Sequence, residues 1–208
     1  MKTGNIFVIS APSGAGKSSL VKALCEKDPL VKASISHTTR KMRPGEIEGV
    51  HYYFIEKNEF LRMLAHNEFL EHATVYDNYY GTHRRTIELL INSGKDIILE
   101  IDYQGAIQIR KLMQEAILIY ILPPNMEVLR QRLVKRDTDE AGIIEKRLNL
   151  ALDDLSYAKY FDFAIINDDF NQALDDLYSI ILSHRHKTKE VLKKWCIPQS
   201  ANIKSIVM

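Results

Sequence analysis

A chain of 208 residues, 46% hydrophobic and 26% charged, has the make-up of an ordinary globular protein and can bury a core without metal or disulfide staples. Its 28 Lys and Arg against 27 Asp and Glu leave a net charge of +1, which excludes a global field drawing it to nucleic acid or anionic lipid, so any anion site has to be built locally. The first apolar run, residues 6–9, is too short for a signal-peptide core, and no run approaches the ~18 residues of a membrane span. Cys25 and Cys196 could bridge, but a chain this size does not need the bond and nothing marks secretion, so a reduced, cytoplasmic setting is expected.

Residues 6–9 read as a buried strand, and residues 18–27 as a helix with Leu20, Val21 and Leu24 on one face. Between them lies Ala11-Pro12-Ser13-Gly14-Ala15-Gly16-Lys17-Ser18-Ser19, the strand–loop–helix context that a phosphate-binding P-loop requires. Glycines let backbone amides turn onto an anion with no Cβ in the way, and the helix adds its N-terminal amides and positive dipole end. Lys17 would reach the β- and γ-phosphates of a nucleoside triphosphate, and the Ser18 hydroxyl would help to hold Mg²⁺. Ala11 stands where the general pattern has glycine, while Gly14 and Gly16 keep the tightest positions.

Residues 36–93 break the rhythm. A Pro44-Gly45 turn, the aromatic run 51–54 and the stretch 68–80 read as short strands with a small helix, an inserted lobe. A second strand over residues 97–101 carries Glu100, with Asp102 two residues on, so both carboxylates point the same way at the crevice end of a buried strand. A helix over 106–113 follows, then a strand over 117–122 halted by Pro123-Pro124. Residues 125–155 form two charged helical segments around Asp137-Thr138-Asp139, a flap more than a core element, carrying Arg132, Arg136 and Arg147. A fourth strand over 163–166 leads through Asn167 and Asp168 into a helix over 170–182. Near-continuous apolar strands separated by helices indicate an α/β fold, a parallel sheet with helices on both faces.

The run 38–54, TTRKMRPGEIEGVHYYF, resembles the signature of the guanylate kinases, as do residues 67–71, 78–82 and 99–105. With the P-loop and residues 166–169, the resemblance runs in order from residue 6 to about residue 182. It implies phosphoryl transfer from ATP to GMP with Mg²⁺, in purine nucleotide metabolism and GMP recycling. It also implies a core of residues 1–35, 94–124 and 156–185, a GMP-binding lobe of 36–93, a helical lid of 125–155 and a tail of 186–208. The ATP site would comprise residues 11–19 (Ala11, Pro12, Ser13, Gly14, Ala15, Gly16, Lys17, Ser18 and Ser19) with Arg132, Arg136, Asn167 and Asp168. The GMP site would comprise Ser36, Arg40, Arg43, Tyr52, Glu71, Tyr80, Gly81, Thr82, Glu100 and Asp102. Lys17, Arg40, Arg136 and Arg147 would act on the moving charge, and Ser18 and Glu100 would hold Mg²⁺, partly through water.

The chemistry of these residue types agrees. Arg40 and Arg43 can clamp a phosphate with forked, charge-assisted hydrogen bonds, and Tyr52 and Tyr80 can donate to the same group. Guanine offers two adjacent donors, N1–H and the exocyclic amine, to the two oxygens of Glu71, whereas adenine would oppose them with an acceptor at N1. Ser36 and Thr82 can donate to the guanine O6. Taken singly, two arginines by a Pro-Gly turn are often a solvated loop, and Glu71 could be an exposed strand residue. A guanylate-kinase-like scaffold would have a degraded P-loop, and a regulatory GTPase would carry an Asn-Lys-x-Asp segment. Neither feature is found here. Partners would be ATP and GMP, with no nucleic acid and no membrane, and a homo-oligomer is left open.

Overall fold

The computed structural model describes residues 4–75, 77–136 and 141–194. In chain order the elements begin with β1 (Ile6–Ser10), α1 (Lys17–Lys27), β2 (Val31–Ala33), β3 (His37–Thr38), β4 (Tyr53–Phe54) and α2 (Lys57–Ala65). They continue with β5 (Phe69–Val75), β6 (Asn78–His83), α3 (Arg84–Asn92), β7 (Asp96–Glu100), α4 (Tyr103–Leu112) and β8 (Ile117–Leu122). The last are α5 (Met126–Arg136), α6 (Ala141–Ser156), β9 (Phe163–Ile166), α7 (Phe170–Arg185) and α8 (Thr188–Lys194).

The apolar runs serve two faces at once. In β1, Phe7 and Ile9 pack on one side with Leu20 and Leu24 of α1 and Leu177 and Ile181 of α7. Ile6 and Val8 pack on the other with Ile87 of α3 and Ile109 of α4. That is the two-residue alternation of a strand whose faces are both covered, which is why the run shows no polar residue. The sheet order is β2-β7-β1-β8-β9 and every pair is parallel, the α/β architecture expected.

Element ends differ from the sequence reading where polar side chains set them. Helix α4 starts at Tyr103, earlier than residue 106, because Asp102 caps it: Oδ1 accepts from the Gly105 amide at 3.0 Å. Helix α7 runs to Arg185, past residue 182, where the apolar pattern stops. Arg185 donates from Nε to Asp96 at 2.5 Å and from Nη1 to Asp28 at 2.5 Å, both carboxylates being buried. This triad fastens the end of α7 to the starts of β2 and β7, at the pole of the sheet opposite the crevice.

Residues 36–93 hold a second sheet, order β4-β3-β6-β5. Helix α2 covers it through Phe60, whose ring stacks on Phe69 at 4.4 Å between centroids. Pairing of β5 with β6 slips by one residue between Phe69 and Glu71, a β-bulge. Helices α5 and α6 hold one another through Leu129, Leu133, Leu148 and Ala151. Asp137, Thr138 and Asp139 lie outside the described residues, as does Cys196, while Cys25 is half-buried and free. No helix among the described residues is long and apolar enough to cross a membrane.

Candidate active site

A cavity of about 650 Å³ opens at the carboxyl ends of β1 and β7, bounded by the loop after β1, the second sheet and the helices α5 and α6. Crevices outside the carboxyl ends of parallel strands are where α/β sheets bind ligands.

The loop after β1 takes its shape from Gly14 and Gly16, at φ of 90° and 93°, a left-handed conformation that a side chain would strain. A Cβ on Gly14 would also come within 3.1 Å of Leu129, because α5 packs directly on the loop. Gly16 is the residue before α1, so the first helical residue is Lys17 and the helix N-terminus faces the cavity. Behind the loop, the Asn167 side-chain amide donates to the Ala15 carbonyl at 2.7 Å, and the Ala15 backbone N–H donates to the Pro12 carbonyl at 3.2 Å. Lys17 Nζ donates to the Ile101 carbonyl at 3.0 Å, just past β7. The Ser18 hydroxyl donates to Oε1 of Glu100.

Across the cavity, Glu71 and Tyr80 come from the second sheet, Ser36 and Tyr52 from the positions just before β3 and β4, and Asp102 from the cap of α4. Glu71 is only 3% exposed, and burial pushes its carboxyl up to about 7 against the hydrogen bond from Thr82, with the charge of Asp102 adding to the rise. Burial raises Asp102 as well. Tyr52 is pushed up to about 12, first by burial and then by the negative charge of Glu100, so its hydroxyl stays a donor at neutral pH. The Ser36 and Thr82 hydroxyls share a hydrogen bond of 3.2 Å.

Not every expected residue reaches the cavity wall. Residues 11–14 and 16–19 line it, as do Ser36, Arg43, Tyr52, Glu71, Tyr80, Glu100, Asp102 and Arg132. Ala15 is fully buried in the core beneath the loop. Asn167 is buried behind the loop, accepting from Arg132 at 3.1 Å, and Asp168 is exposed beyond β9. Thr82 sits behind Glu71, and Gly81 gives its space to the Phe69 ring, which a Cβ there would meet at 2.8 Å. The side chains of Arg136 and Arg147 lie outside the described residues.

Arg40 stands beside the cavity. Its guanidinium forks onto Glu46 at 2.7 and 3.0 Å, donates to the Lys41 carbonyl at 2.7 Å, and lies over the Tyr52 ring at 5.5 Å. The Arg43 amide donates to the same Glu46 carboxylate at 2.7 Å. Glu46 is a residue that the sequence reading passed over, although an acid three places beyond Arg43 across a Pro-Gly turn was the available signal. Asp154 of α6 also lines the cavity, pushed up to about 6 by burial and then by the charge of Asp102. Nothing in the pair Asp153-Asp154 says which one turns inward.

The arrangement is a backbone-built anion cradle facing a buried carboxylate with two phenols and two arginines near it. A family model described as guanylate kinase matches residues 3–184. A guanylate kinase of Photorhabdus laumondii is 52% identical over 193 residues, covering 91% of this chain and 93% of that protein. One from Pseudomonas fluorescens is 50% identical over 187 residues, covering 90% and 91%. The crystal structure of guanylate kinase from Anaplasma phagocytophilum superposes with a TM-score of 0.77 at 33% identity, over 92% of this chain and 95% of that one. Agreement in sequence and in fold over nearly the whole length means that the chain belongs to the guanylate kinase family.

Proposed function

We propose that the chain transfers the γ-phosphoryl group of ATP to GMP, giving ADP and GDP and so returning GMP to the nucleotide pool. The observation that carries this reading is Glu71, a buried carboxylate set across one cavity from the Lys17 loop.

The amides of the loop and of the first turn of α1 hold the ATP phosphates, and Lys17 exchanges the Ile101 carbonyl for the β- and γ-phosphates. Both oxygens of Glu71 accept the guanine N1–H and exocyclic amine, with Asp102 beside the amine and the Ser36 hydroxyl toward O6. Arg43, Tyr52 and Tyr80 grip the GMP phosphate, and Arg40 reaches it from its seat on Glu46. The attacking atom is a phosphate oxygen already ionised at neutral pH, so no side chain has to remove a proton. Positioning and charge neutralisation do the work. Arg132 and Arg136 of α5 and Arg147 of α6 meet the charge spread over the equatorial oxygens. The Ser18 hydroxyl and the Glu100 carboxylate, bonded to each other, are hard oxygen donors of the kind that suit Mg²⁺, which when bound would neutralise phosphate charge.

The test is a coupled assay with ATP and Mg²⁺ across AMP, GMP, UMP and dTMP. GMP should be the preferred acceptor by a wide margin. Equal or faster turnover of AMP, or none of any acceptor, overturns the assignment.

A further inference from the structure

Strand β5 is the outermost strand of its sheet, and helix α4 supplies at one residue what a neighbouring strand would. The Gln108 side-chain amide donates to the His72 carbonyl at 2.7 Å and accepts from the His72 amide at 3.2 Å. It thereby closes both main-chain groups of the residue directly after Glu71. One turn earlier, Gln104 donates to Asp102 at 3.0 Å and lies 3.4 Å from the Thr74 carbonyl. Between them is Gly105. A Cβ there would fall on Oε2 of Glu71, so the missing side chain is what lets the carboxylate lie against the helix.

We infer that this face of α4 fixes the base reader in place, with Gln108 a positioning residue and Gly105 a specificity-determining one, although neither touches guanine. Bidentate recognition requires both Glu71 oxygens to meet their donors within a fraction of an ångström, and a side chain is that well placed only when its own supports are locked. A free strand edge would turn the His72 main chain to water and let β5 shift. The Gln108 amide prevents this, and it does so from the same helix whose cap is Asp102, so both carboxylates beside the base are registered to one element. The inference rests on the reading of Glu71 as the guanine contact.

The experiment is steady-state kinetics with GMP and with IMP, which lacks the exocyclic amine, on Gln108→Met, Glu71→Gln and the double variant. Met keeps the length of Gln and removes both bonds. Gln108→Met should raise KM for GMP about five- to tenfold while kcat and the ATP KM stay within about twofold, and should narrow the preference for GMP over IMP. In the Glu71→Gln background the same change should add less than about twofold, since the two act through one contact. Gly105→Ala, a substitution a helix tolerates well, should raise KM for GMP at least as much. The inference is overturned if either variant leaves KM for GMP within twofold, if GMP and IMP lose equally, or if the effects of Gln108→Met and Glu71→Gln multiply in full. Should Glu71→Gln alone leave KM for GMP unchanged, the reading of Glu71 fails instead.

Discussion

The two walls of the cavity are built in different materials. The loop of residues 11–19 is held by a main-chain turn from Ala15 to Pro12, two left-handed glycines and the Asn167 side chain behind it, and it sits on a parallel sheet whose strands are buried on both faces. The opposite wall is held by side chains: Glu71 on Thr82, Thr82 on Ser36, Arg40 on Glu46. Main-chain amides recognise a phosphate and are indifferent to the base attached to it. Side chains with buried carboxylates recognise one base. On the proposed reading the rigid wall supplies rate and the side-chain wall supplies choice, and substitutions on the two should separate kcat from KM.

The sharpest break would come at Lys17. Lys17→Ala removes a group aimed at charge that moves during transfer, so kcat should fall roughly 10²- to 10³-fold with folding intact. Single-turnover kinetics and circular dichroism check it, and near-normal kcat would shift the whole burden onto the main chain. Next is Glu71→Gln, which opposes one guanine donor with an NH₂ group. Losing half of a charged bidentate contact costs ~1–3 kcal/mol, or about ten- to a hundredfold in KM for GMP. The KM for ATP should hold, and equal loss on both substrates would erase the distinction between the walls.

Proton linkage is expected to be smaller. In the free protein burial pushes Glu71 up to about 7, so below that pH it carries a proton that guanine must displace. GMP affinity should rise with pH by up to ~10-fold per unit below 7 and level off above it. Calorimetry in buffers of different ionisation heat should count the released proton, and Glu71→Gln should abolish it. The sign for folding is opposite. A carboxyl raised above its unfolded value of 4.5 stabilises the free fold fully below that value, and the contribution is lost as pH rises through 7. The smallest effect belongs to Glu46→Gln, which keeps one acceptor for Arg40 and sets an NH₂ donor against the other half of the fork. The pair is only 12% and 16% exposed, so the change should cost about 1 kcal/mol, roughly fivefold in KM for GMP, with ATP unaffected.

The walls also differ in how openly the sequence declares them. The loop is one contiguous stretch, and local spacing is enough to gather Gly14, Gly16, Lys17 and Ser18. The strands of the parallel sheet announce themselves by apolar runs, except β2, where only Val31 of Val31–Ala33 is buried and three residues make no pattern. The second wall draws on residues from 36 to 154, and nothing local brings Ser36 to Thr82 or Asp154 toward Asp102. Ser36, Glu71, Thr82 and Asp102 were named through resemblance to a family signature and not through periodicity, and Asp154 was not named at all. What stayed hidden were partners without a pattern of their own: Glu46 under Arg40, Gln108 on the edge of β5, Arg185 beyond the last apolar turn of α7.

The bulge in β5 has a further consequence. Phe69 turns to Phe60 under α2, Leu70 packs with the layer of Leu99 and Ala106, and Glu71 next to it faces the cavity. In an unbroken strand Phe69 and Glu71 would share a face. The single extra residue is what parts them, so the aim of Glu71 rests on an irregularity of the main chain as well as on its own chemistry. Paired evenly at the same length, the strand would keep its carboxylate, its arginines and its phenols, and would turn Glu71 to the face of Phe69 and its neighbour Phe60. Removing Leu70 would instead leave Phe69 and Glu71 on opposite faces and take one side chain out of the layer of Leu99 and Ala106.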